Sequence, residues 1–173
     1  MFTIKQPSTI IFGKYSARDY KIPKDSLVIT SRGAKSRNWL EYIGLTDSYI
    51  YDNVESNPSI ETTEQIISEF SDSNFSNVVG IGGGSVLDVA KFVAYKIKKI
   101  KIMVPTTFGS GSEVTRIAVL KVNGKKQSFH DDGIFADIAI VDPYFIRETP
   151  EHIIRNSAID ACAQCTEGYD SKT

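Results

Sequence analysis

Cysteine and histidine are scarce in this sequence, which has two of each among its 173 residues. Two cysteines are too few for the disulfide framework of a small secreted domain, so we expect the reducing environment of the cytoplasm. The sequence also has no uninterrupted run of 18 apolar residues, and no basic segment followed by an apolar one at its start. It therefore predicts neither a membrane span nor a secretory signal.

Neither sign of charge is in excess. The chain has 20 lysines and arginines against 21 aspartates and glutamates, a formal net charge of -1. A main partner that is nucleic acid or an anionic membrane usually goes with a marked basic excess, so we expect neither. With 41% hydrophobic residues, the chain can bury the core of one domain, with a small appendage at most.

Short β-rich runs alternate with helical patterns along most of the chain. Helices are predicted over residues 34–44, 59–73 and 85–97. Strands are predicted over residues 26–30, 48–51, 77–81, 101–105 and 136–143. Such alternation is typical of crossover units, so the sequence predicts an α/β fold with a mostly parallel sheet and helices on both faces.

Three segments depart from this alternation. Asn123-Gly124, between two strand-like runs, predicts a β-hairpin. Residues 3–13 suggest a further antiparallel pair of strands. Residues 150–173 have a helical pattern that stops without a closing element, so we expect an α/β domain over residues 1–149 and, over 150–173, the first helix of a second, helical domain that is mostly missing.

A run of three glycines and a serine, Gly82–Ser85, directly follows the strand predicted over residues 77–81 and opens a helix. The first N–H groups of a helix have no partner within it and lie at the positive end of its dipole, so an anion is favoured there. Glycine leaves room for a phosphate to approach the backbone. Gly82, Gly83, Gly84 and Ser85 are therefore a candidate phosphate cradle in which the Ser85 hydroxyl either caps the helix or contacts a phosphate oxygen; the alternative is a tight turn without a ligand.

A second loop of the same kind follows the next predicted strand. Residues 104–115 combine two glycines with several hydroxyl side chains, among them Thr106, Thr107 and Ser110. Parallel strands end at the same edge of a sheet, so the two loops fit a pyrophosphate and its neighbouring ribose and nicotinamide.

Four segments, GGGSVLDVAK, PTTFGSGSEVT, IAIVDP and AIDACAQCTEGY, resemble in this order the iron-containing (group III) alcohol dehydrogenases, which belong to one superfamily with dehydroquinate synthase. The resemblance covers essentially the whole chain. It implies a Rossmann-like dinucleotide-binding domain and an all-helical domain, with the active site between them. It also implies hydride transfer between NAD(P)H and a small alcohol or aldehyde, assisted by a divalent metal, iron or zinc, in the full-length protein.

The resemblance also implies roles for individual residues. Gly82–Ser85 match the pyrophosphate loop, and Thr106, Thr107 and Ser110 match a loop around the nicotinamide half of the cofactor. Asp88, Asn57 and Lys126 match residues that line the cofactor site, Lys126 by its spacing from Asp142. Asp160 matches the first metal ligand.

Residues 31–35, which follow the strand predicted over residues 26–30, indicate which cofactor is preferred. NAD-specific members of the family have an acidic residue there, which accepts from the ribose 2′-hydroxyl. This chain instead has Ser31, followed by Arg32 and, three residues later, Lys35, which suit a 2′-phosphate. We therefore expect a preference for NADP(H) over NAD(H), with Arg32 pointing into solvent as the alternative.

The metal site departs from the family pattern. In the iron-dependent branch a histidine follows the ligand aspartate by four residues, one helical turn further on. This chain has Gln164 there, and glutamine is a poor ligand for Fe²⁺ or Zn²⁺. Neither His130 nor His152 has the sequence context of a family ligand, so we expect the isolated chain to bind no catalytic metal tightly and to turn over poorly.

Two other interpretations stay open. One is a non-catalytic or truncated nucleotide-binding module, which Gln164 and the missing histidines favour. The other is a dehydroquinate-synthase-like lyase that uses NAD transiently on the same scaffold, against which the second loop and the missing acidic residue argue. The expected exposed strands at the N-terminus also make a homodimer possible.

Overall fold

The computed structural model describes residues 3–171, and its centre is a six-stranded, all-parallel sheet. The strands are β1 (Thr9–Phe12), β2 (Ser26–Thr30), β3 (Tyr49–Tyr51), β4 (Asn77–Gly82), β5 (Ile100–Pro105) and β8 (Ile138–Val141). Their order across the sheet is β1-β8-β5-β4-β2-β3. A separate antiparallel hairpin consists of β6 (Ile117–Val122) and β7 (Lys125–His130).

Six α-helices connect or follow these strands. They are α1 (Ser16–Asp19), α2 (Arg32–Ser36), α3 (Trp39–Ile43), α4 (Ile60–Glu69), α5 (Gly84–Ile97) and α6 (Glu151–Asp170). Short 3₁₀ helices cover Ser112–Val114, Asp132–Ile134 and Pro143–Glu148. None of the helices within residues 3–171 is both long and apolar enough to cross a membrane.

Helices cover both faces of the sheet, as the alternation of strands and helices predicts. Along β2, Leu27 and Ile29 belong to one buried cluster together with α4, α5 and the hairpin. Val28 lies on the other face and belongs to the cluster that includes α1, α2 and α3. Successive side chains of a strand point to opposite faces, so a fully buried five-residue strand needs such a double cover. The predicted α/β fold is confirmed.

The antiparallel pair expected within residues 3–13 is wrong. Residues 3–8 form no strand, and Thr9–Phe12 is a single edge strand that pairs in parallel with β8, with Thr9 opposite Ile138. The local alternation of apolar residues does show a strand, but its partner is far away in the sequence. The hairpin at Asn123-Gly124 is confirmed: φ is 50° and 76° at these residues, both in the left-handed region that a two-residue hairpin turn requires.

The single helix expected over residues 34–44 is two short helices. Asn38, between α2 and α3, has a φ of 55°, in the left-handed region, and this interrupts the helical path. The chain then ends α3 at Gly44, whose φ of 79° is the usual glycine stop.

Candidate cofactor site

The glycine run lies where β4 becomes α5, at the carboxyl edge of the sheet. Gly82 ends the strand, Gly83 is the N-cap, and the helix begins at Gly84. The N–H groups of Val86 and Leu87 both donate to the Gly83 carbonyl, which leaves those of Gly84 and Ser85 outside the helical pattern. The N-cap residue is thus a glycine without a side chain, so the first of the two roles considered for the Ser85 hydroxyl, capping the helix, is wrong.

The three glycines are needed for space rather than for an unusual backbone, since none of them has a positive φ. A Cβ on Gly82 would lie 2.7 Å from the Val86 side chain. A Cβ on Gly83 would lie 3.1 Å from Thr107 Oγ1, and one on Gly84 would lie 3.0 Å from Ser110 Oγ. The second loop thus lies directly on the glycine turn, and side chains there would push it away.

The second loop, whose residues 106–115 follow β5, contacts both the glycine turn and α6. Thr106 N donates to the Gly82 carbonyl at 2.9 Å, which continues the pairing of β4 with β5. Gly109 has a φ of 119°, and a Cβ there would lie 2.6 Å from the Ser157 carbonyl and 2.9 Å from Asp160 Oδ2. The loop therefore brings the glycine turn and the start of the second predicted domain into one site.

One cavity of about 520 Å³ lies between these elements. Of the residues proposed from the sequence, those that line it are Asn57, Gly84, Ser85, Asp88, Thr107, Ser110, Lys126, Asp160 and Gln164. They come from the segment before α4, from α5, from the second loop, from the hairpin and from α6. The topology therefore collects into one place most of the residues that the resemblance singles out.

Four proposed residues do not line this cavity. Gly82 is buried and Gly83 half-buried at the end of β4, and Thr106 is buried and borders a neighbouring cavity of about 530 Å³. Ser31 directly follows Thr30, which is paired with Ile81, so it lies beside the glycine turn at the same sheet edge. Ser31 therefore lies at the same sheet edge as the cavity, but at the end of β2 and next to β3.

A carboxylate that sequence reasoning missed lies close to Ser31. Asp52 directly follows β3, the neighbour of β2, and its Oδ2 is 3.7 Å from Lys35 Nζ. Asn53, the next residue, forms a bridge with Ser31. No local pattern places the end of β3 beside Ser31, because this contact depends on the pairing of two strands separated by two helices.

Asp88 is a half-buried carboxylate whose oxygens are both engaged by the protein. Oδ1 accepts from the Ser112 hydroxyl at 2.6 Å, and Oδ2 accepts from Val119 N at 3.0 Å. Burial raises the pKa of Asp88, while Lys91 and these hydrogen bonds oppose the rise. Besides lining the cavity, Asp88 thus fixes the second loop and β6 against α5.

Lys91, one turn further along α5, is fully buried, and sequence reasoning missed it. Its Nζ donates to the carbonyl oxygens of Ser112, Thr115 and Ile117 at 2.7, 3.2 and 2.5 Å, and lies 3.6 Å from Asp88 Oδ1. Burial lowers the pKa of Lys91 to about 8, although the Asp88 charge acts in the opposite direction.

Lys121, unlike Lys91, lines the cavity, and sequence reasoning missed it too. It lies on β6 directly opposite Lys126 on β7. A signal for it does exist in the sequence: a two-residue turn at Asn123-Gly124 pairs residue 122 with 125, and therefore 121 with 126.

The residues expected to hold a metal do not form a complete site. Gln164 Nε2 donates to Asp160 Oδ1 at 3.2 Å, and both residues are exposed on α6. Within residues 3–171 there is no group of three or more histidine, cysteine, aspartate or glutamate side chains that could hold a metal. A catalytic metal needs about three protein ligands, so the described residues do not fit one by themselves.

A dinucleotide, in contrast, fits the chemistry of the cavity lining. The helix start supplies backbone N–H donors for phosphate, the second loop supplies hydroxyl groups, and Lys121 and Lys126 supply positive charge.

The comparison with known families agrees with this chemistry. The sequence description of the family named "Iron-containing alcohol dehydrogenase" matches residues 7–143. Long-chain-alcohol dehydrogenase 1 of Geobacillus thermodenitrificans is 35% identical over 144 aligned positions, and the alignment covers 71% of this chain and 36% of that protein. The NADPH-dependent aldehyde reductase of Escherichia coli is 27% identical over 206 aligned positions, 99% of this chain and 52% of that protein.

Solved structures share the fold. The sulfoacetaldehyde reductase of Bifidobacterium kashiwanohense, crystallised with NAD⁺, superposes with a TM-score of 0.87 at 27% identity, over 99% of this chain and 54% of that one. An iron-containing alcohol dehydrogenase of Thermotoga maritima superposes with a TM-score of 0.84 at 25% identity, over 98% of this chain and 55% of that one. This chain spans about a third of the Geobacillus relative and about half of the Escherichia coli one.

Proposed function

Since the chain belongs to the family of iron-containing alcohol dehydrogenases, we propose that it is the cofactor-binding part of an NAD(P)H-dependent oxidoreductase. The whole protein would interconvert a small alcohol and its aldehyde or ketone by metal-assisted hydride transfer. One observation supports this most strongly: the glycine turn and the hydroxyl-rich loop meet at one sheet edge around a single cavity. That is where ligands of open α/β sheets bind.

Each part of the cavity has a role in this proposal. The N–H groups of Gly84 and Ser85 bind the pyrophosphate. Thr107 and Ser110 orient the nicotinamide half, and Asn57 and Lys126 contact the cofactor from the opposite wall. When bound, the nicotinamide supplies or accepts the hydride.

The second part of the proposal concerns domain organisation. Residues 1–149 form the dinucleotide-binding domain, and residues 150–173 begin a helical domain that carries metal ligands and substrate contacts. The length of the relatives and the exposure of α6, which has no buried residue, both support it. Asp160 supplies one ligand, with Gln164 beside it, and the others come from outside the described residues. The substrate and its specificity then depend on that helical domain.

We also propose a preference for NADPH over NADH. Within residues 3–171, Arg32 has no ion-pair partner, and it lies next to Ser31 at the end of β2. Its charge is therefore available for a 2′-phosphate, whereas that of Lys35 is shared with Asp52. The relatives include an enzyme named for NADPH and a structure with NAD⁺, so the preference has to be measured on this chain.

The edge strand β1 supports self-association of the protein. Ile10 and Phe12 are exposed on it, and one side of the strand offers unpaired backbone groups. We therefore propose a homodimer, which light scattering after size-exclusion chromatography would reveal as twice the chain mass.

Calorimetric titration of NADPH, and then of NADH, into this chain without added metal tests the proposal. We expect micromolar binding that favours NADPH, and in a Ser31→Asp variant a shift toward NADH, because a carboxylate repels the 2′-phosphate and accepts from the 2′-hydroxyl. Equal binding of both cofactors by the wild type would contradict the NADPH preference alone. Binding of neither would overturn the proposal in favour of a module that has lost its cofactor.

A further inference from the structure

We propose that Lys121 and Lys126 form a paired cationic site that binds an oxyanion, a phosphate or a group of the same chemistry, inside the candidate cavity. The inference deepens the proposed function and rests on it for the identity of the cavity. It goes beyond a single cofactor-contacting lysine, because it assigns a role to Lys121 and makes the two side chains one site.

The hairpin register places the two lysines opposite each other. Lys121 and Lys126 are direct cross-strand partners, and residues opposite each other in an antiparallel pair project from the same face. Both line the cavity, together with Val119 and the buried Leu120 of the same hairpin. The hairpin therefore contributes two positive charges and two apolar side chains to the cavity wall.

Neither lysine has an ion-pair partner within residues 3–171. Two carboxylates, Asp88 and Asp160, line the same cavity, but they accept hydrogen bonds from Ser112, Val119 and Gln164 and form no ion pair with these lysines. Like charges directly opposite each other destabilise a hairpin. A bound oxyanion would offset that repulsion and form a charge-assisted contact with each lysine. Anion binding at this pair is therefore favourable.

The backbone under the pair is held at two points. Lys121 N donates to the Pro58 carbonyl at 2.8 Å, beside Asn57 of the cavity wall. Two residues earlier, Val119 N donates to Asp88 Oδ2 at 3.0 Å. The hairpin is thus fixed both to the segment before α4 and to α5, so the lysine stems start from a defined position. Lys121 is half-buried, which limits the volume that its side chain can sample.

Two sources share this ligand chemistry. One is the pyrophosphate of the cofactor, whose other contacts are the backbone N–H groups across the cavity. The other is an acidic group on the substrate itself, which would make the preferred aldehyde an anionic one. Both are oxyanions that can contact two ammonium groups, and the experiment below distinguishes the two sources.

The test compares Lys121→Met with Lys125→Met. Methionine keeps the length and apolar stem of lysine and removes its charge. Lys125 is the exposed lysine next to Lys126 on the same strand and does not line the cavity, so it controls for the general loss of a positive charge. Calorimetry would measure inorganic pyrophosphate binding to the free chain, and inorganic phosphate binding to the chain saturated with NADPH.

We expect Lys121→Met to weaken one of the two anions on the order of tenfold and to flatten the salt dependence of its binding, with Lys125→Met unchanged. Loss of pyrophosphate binding identifies the cofactor as the source, and loss restricted to phosphate in the presence of NADPH identifies the substrate. If the two variants bind both anions like the wild type, the lysine site is overturned while NADPH binding still supports the proposed function. If lysine-dependent anion binding survives without any NADPH binding, the proposed function fails and the site stands.

Discussion

Lys91 Nζ lies 3.6 Å from Asp88 Oδ1, and the lysine is fully buried. The two side chains are one turn apart on α5, and both reach out of the helix to the same neighbours: Lys91 to the Ser112 carbonyl and Asp88 to the Ser112 hydroxyl. This pair holds the end of the second loop, and through it the cavity wall, against the helix that begins at the glycine turn.

Replacement of Lys91 by methionine is expected to destabilise the protein strongly. The change leaves the Asp88 carboxylate without its counter-charge and leaves the Ser112 and Ile117 carbonyl oxygens without their donor. Removing one partner of a buried pair costs about 3–5 kcal/mol. Urea unfolding followed by circular dichroism measures the loss.

Lys96→Met is the matched control for this experiment. Lys96 lies on the same helix but is exposed, with its Nζ 5.1 Å from the centre of the Phe92 ring. We expect its loss to cost at most about 1 kcal/mol. Equal effects of the two variants would show that the buried contacts of Lys91 contribute nothing specific.

The lowered pKa of Lys91 predicts a particular pH dependence of stability. Its folded-state pKa is about 8, against 10.5 for a free lysine side chain. Between these values the unfolded chain binds more protons than the folded one, so the free energy of unfolding that this residue contributes rises with pH. Below pH 8 both states are protonated and the burial penalty is fully present.

The wild-type protein should therefore gain stability relative to Lys91→Met as the pH rises from about 8 to 10. Urea unfolding of both proteins at several pH values measures the difference, in which the contribution of the tyrosines cancels. A difference that stays flat would mean that Lys91 has an ordinary pKa in the folded protein.

Gly82→Ala is expected to destabilise the turn between β4 and α5. The added methyl group would lie 2.7 Å from the Val86 Cβ, an atom that no rotation of the side chain can move away. Overpacking of this kind costs about 1–3 kcal/mol. A lower melting temperature, together with weaker NADPH binding, would confirm it.

Gly168→Ala is the control, since Gly168 lies inside α6, has no positive φ and has nothing within 4 Å of an added Cβ. We expect it to be neutral or slightly stabilising, because alanine favours a helix more than glycine does. An equal loss in both variants would refute the steric explanation for Gly82.

The site was predictable from the sequence where it depends on neighbouring parallel strands. Gly82 ends β4, and Thr106 directly follows β5. Adjacent parallel strands bring their carboxyl ends together, so two local sequence patterns were enough to predict that the two loops meet. The position of Lys121 opposite Lys126 could have been predicted in the same way, because a two-residue turn sets the register of the hairpin.

The features that were missed depend on contacts between distant parts of the chain. The partner of β1 is β8, more than a hundred residues away, and a local pattern shows a strand without showing its partner. In the sequence, Lys91 is one charged residue of an amphipathic helix, and nothing in the local pattern predicts its burial. It is buried because the second loop and β6 cover that side of α5, and the three carbonyl groups that satisfy its ammonium group come from those segments.

Asp160 and Gln164 lead to the last prediction, which concerns metal binding. After dialysis, the isolated chain should retain no stoichiometric zinc or iron, because one carboxylate and one amide oxygen make a poor site for either ion. In the folded chain the Gln164 amide already donates to Asp160 Oδ1.

Gln164→His replaces that donor by an imidazole one helical turn from the carboxylate, on the same face of α6. We expect the affinity for Zn²⁺ to rise on the order of tenfold while the binding stays weak, since two ligands fall short of the usual three. Zinc titration monitored by calorimetry measures this, and Asp160→Ala in the Gln164→His background should abolish the gain. Tight, stoichiometric zinc in the unsubstituted chain would contradict the prediction, because it would require further ligands close to Asp160 that residues 3–171 do not provide.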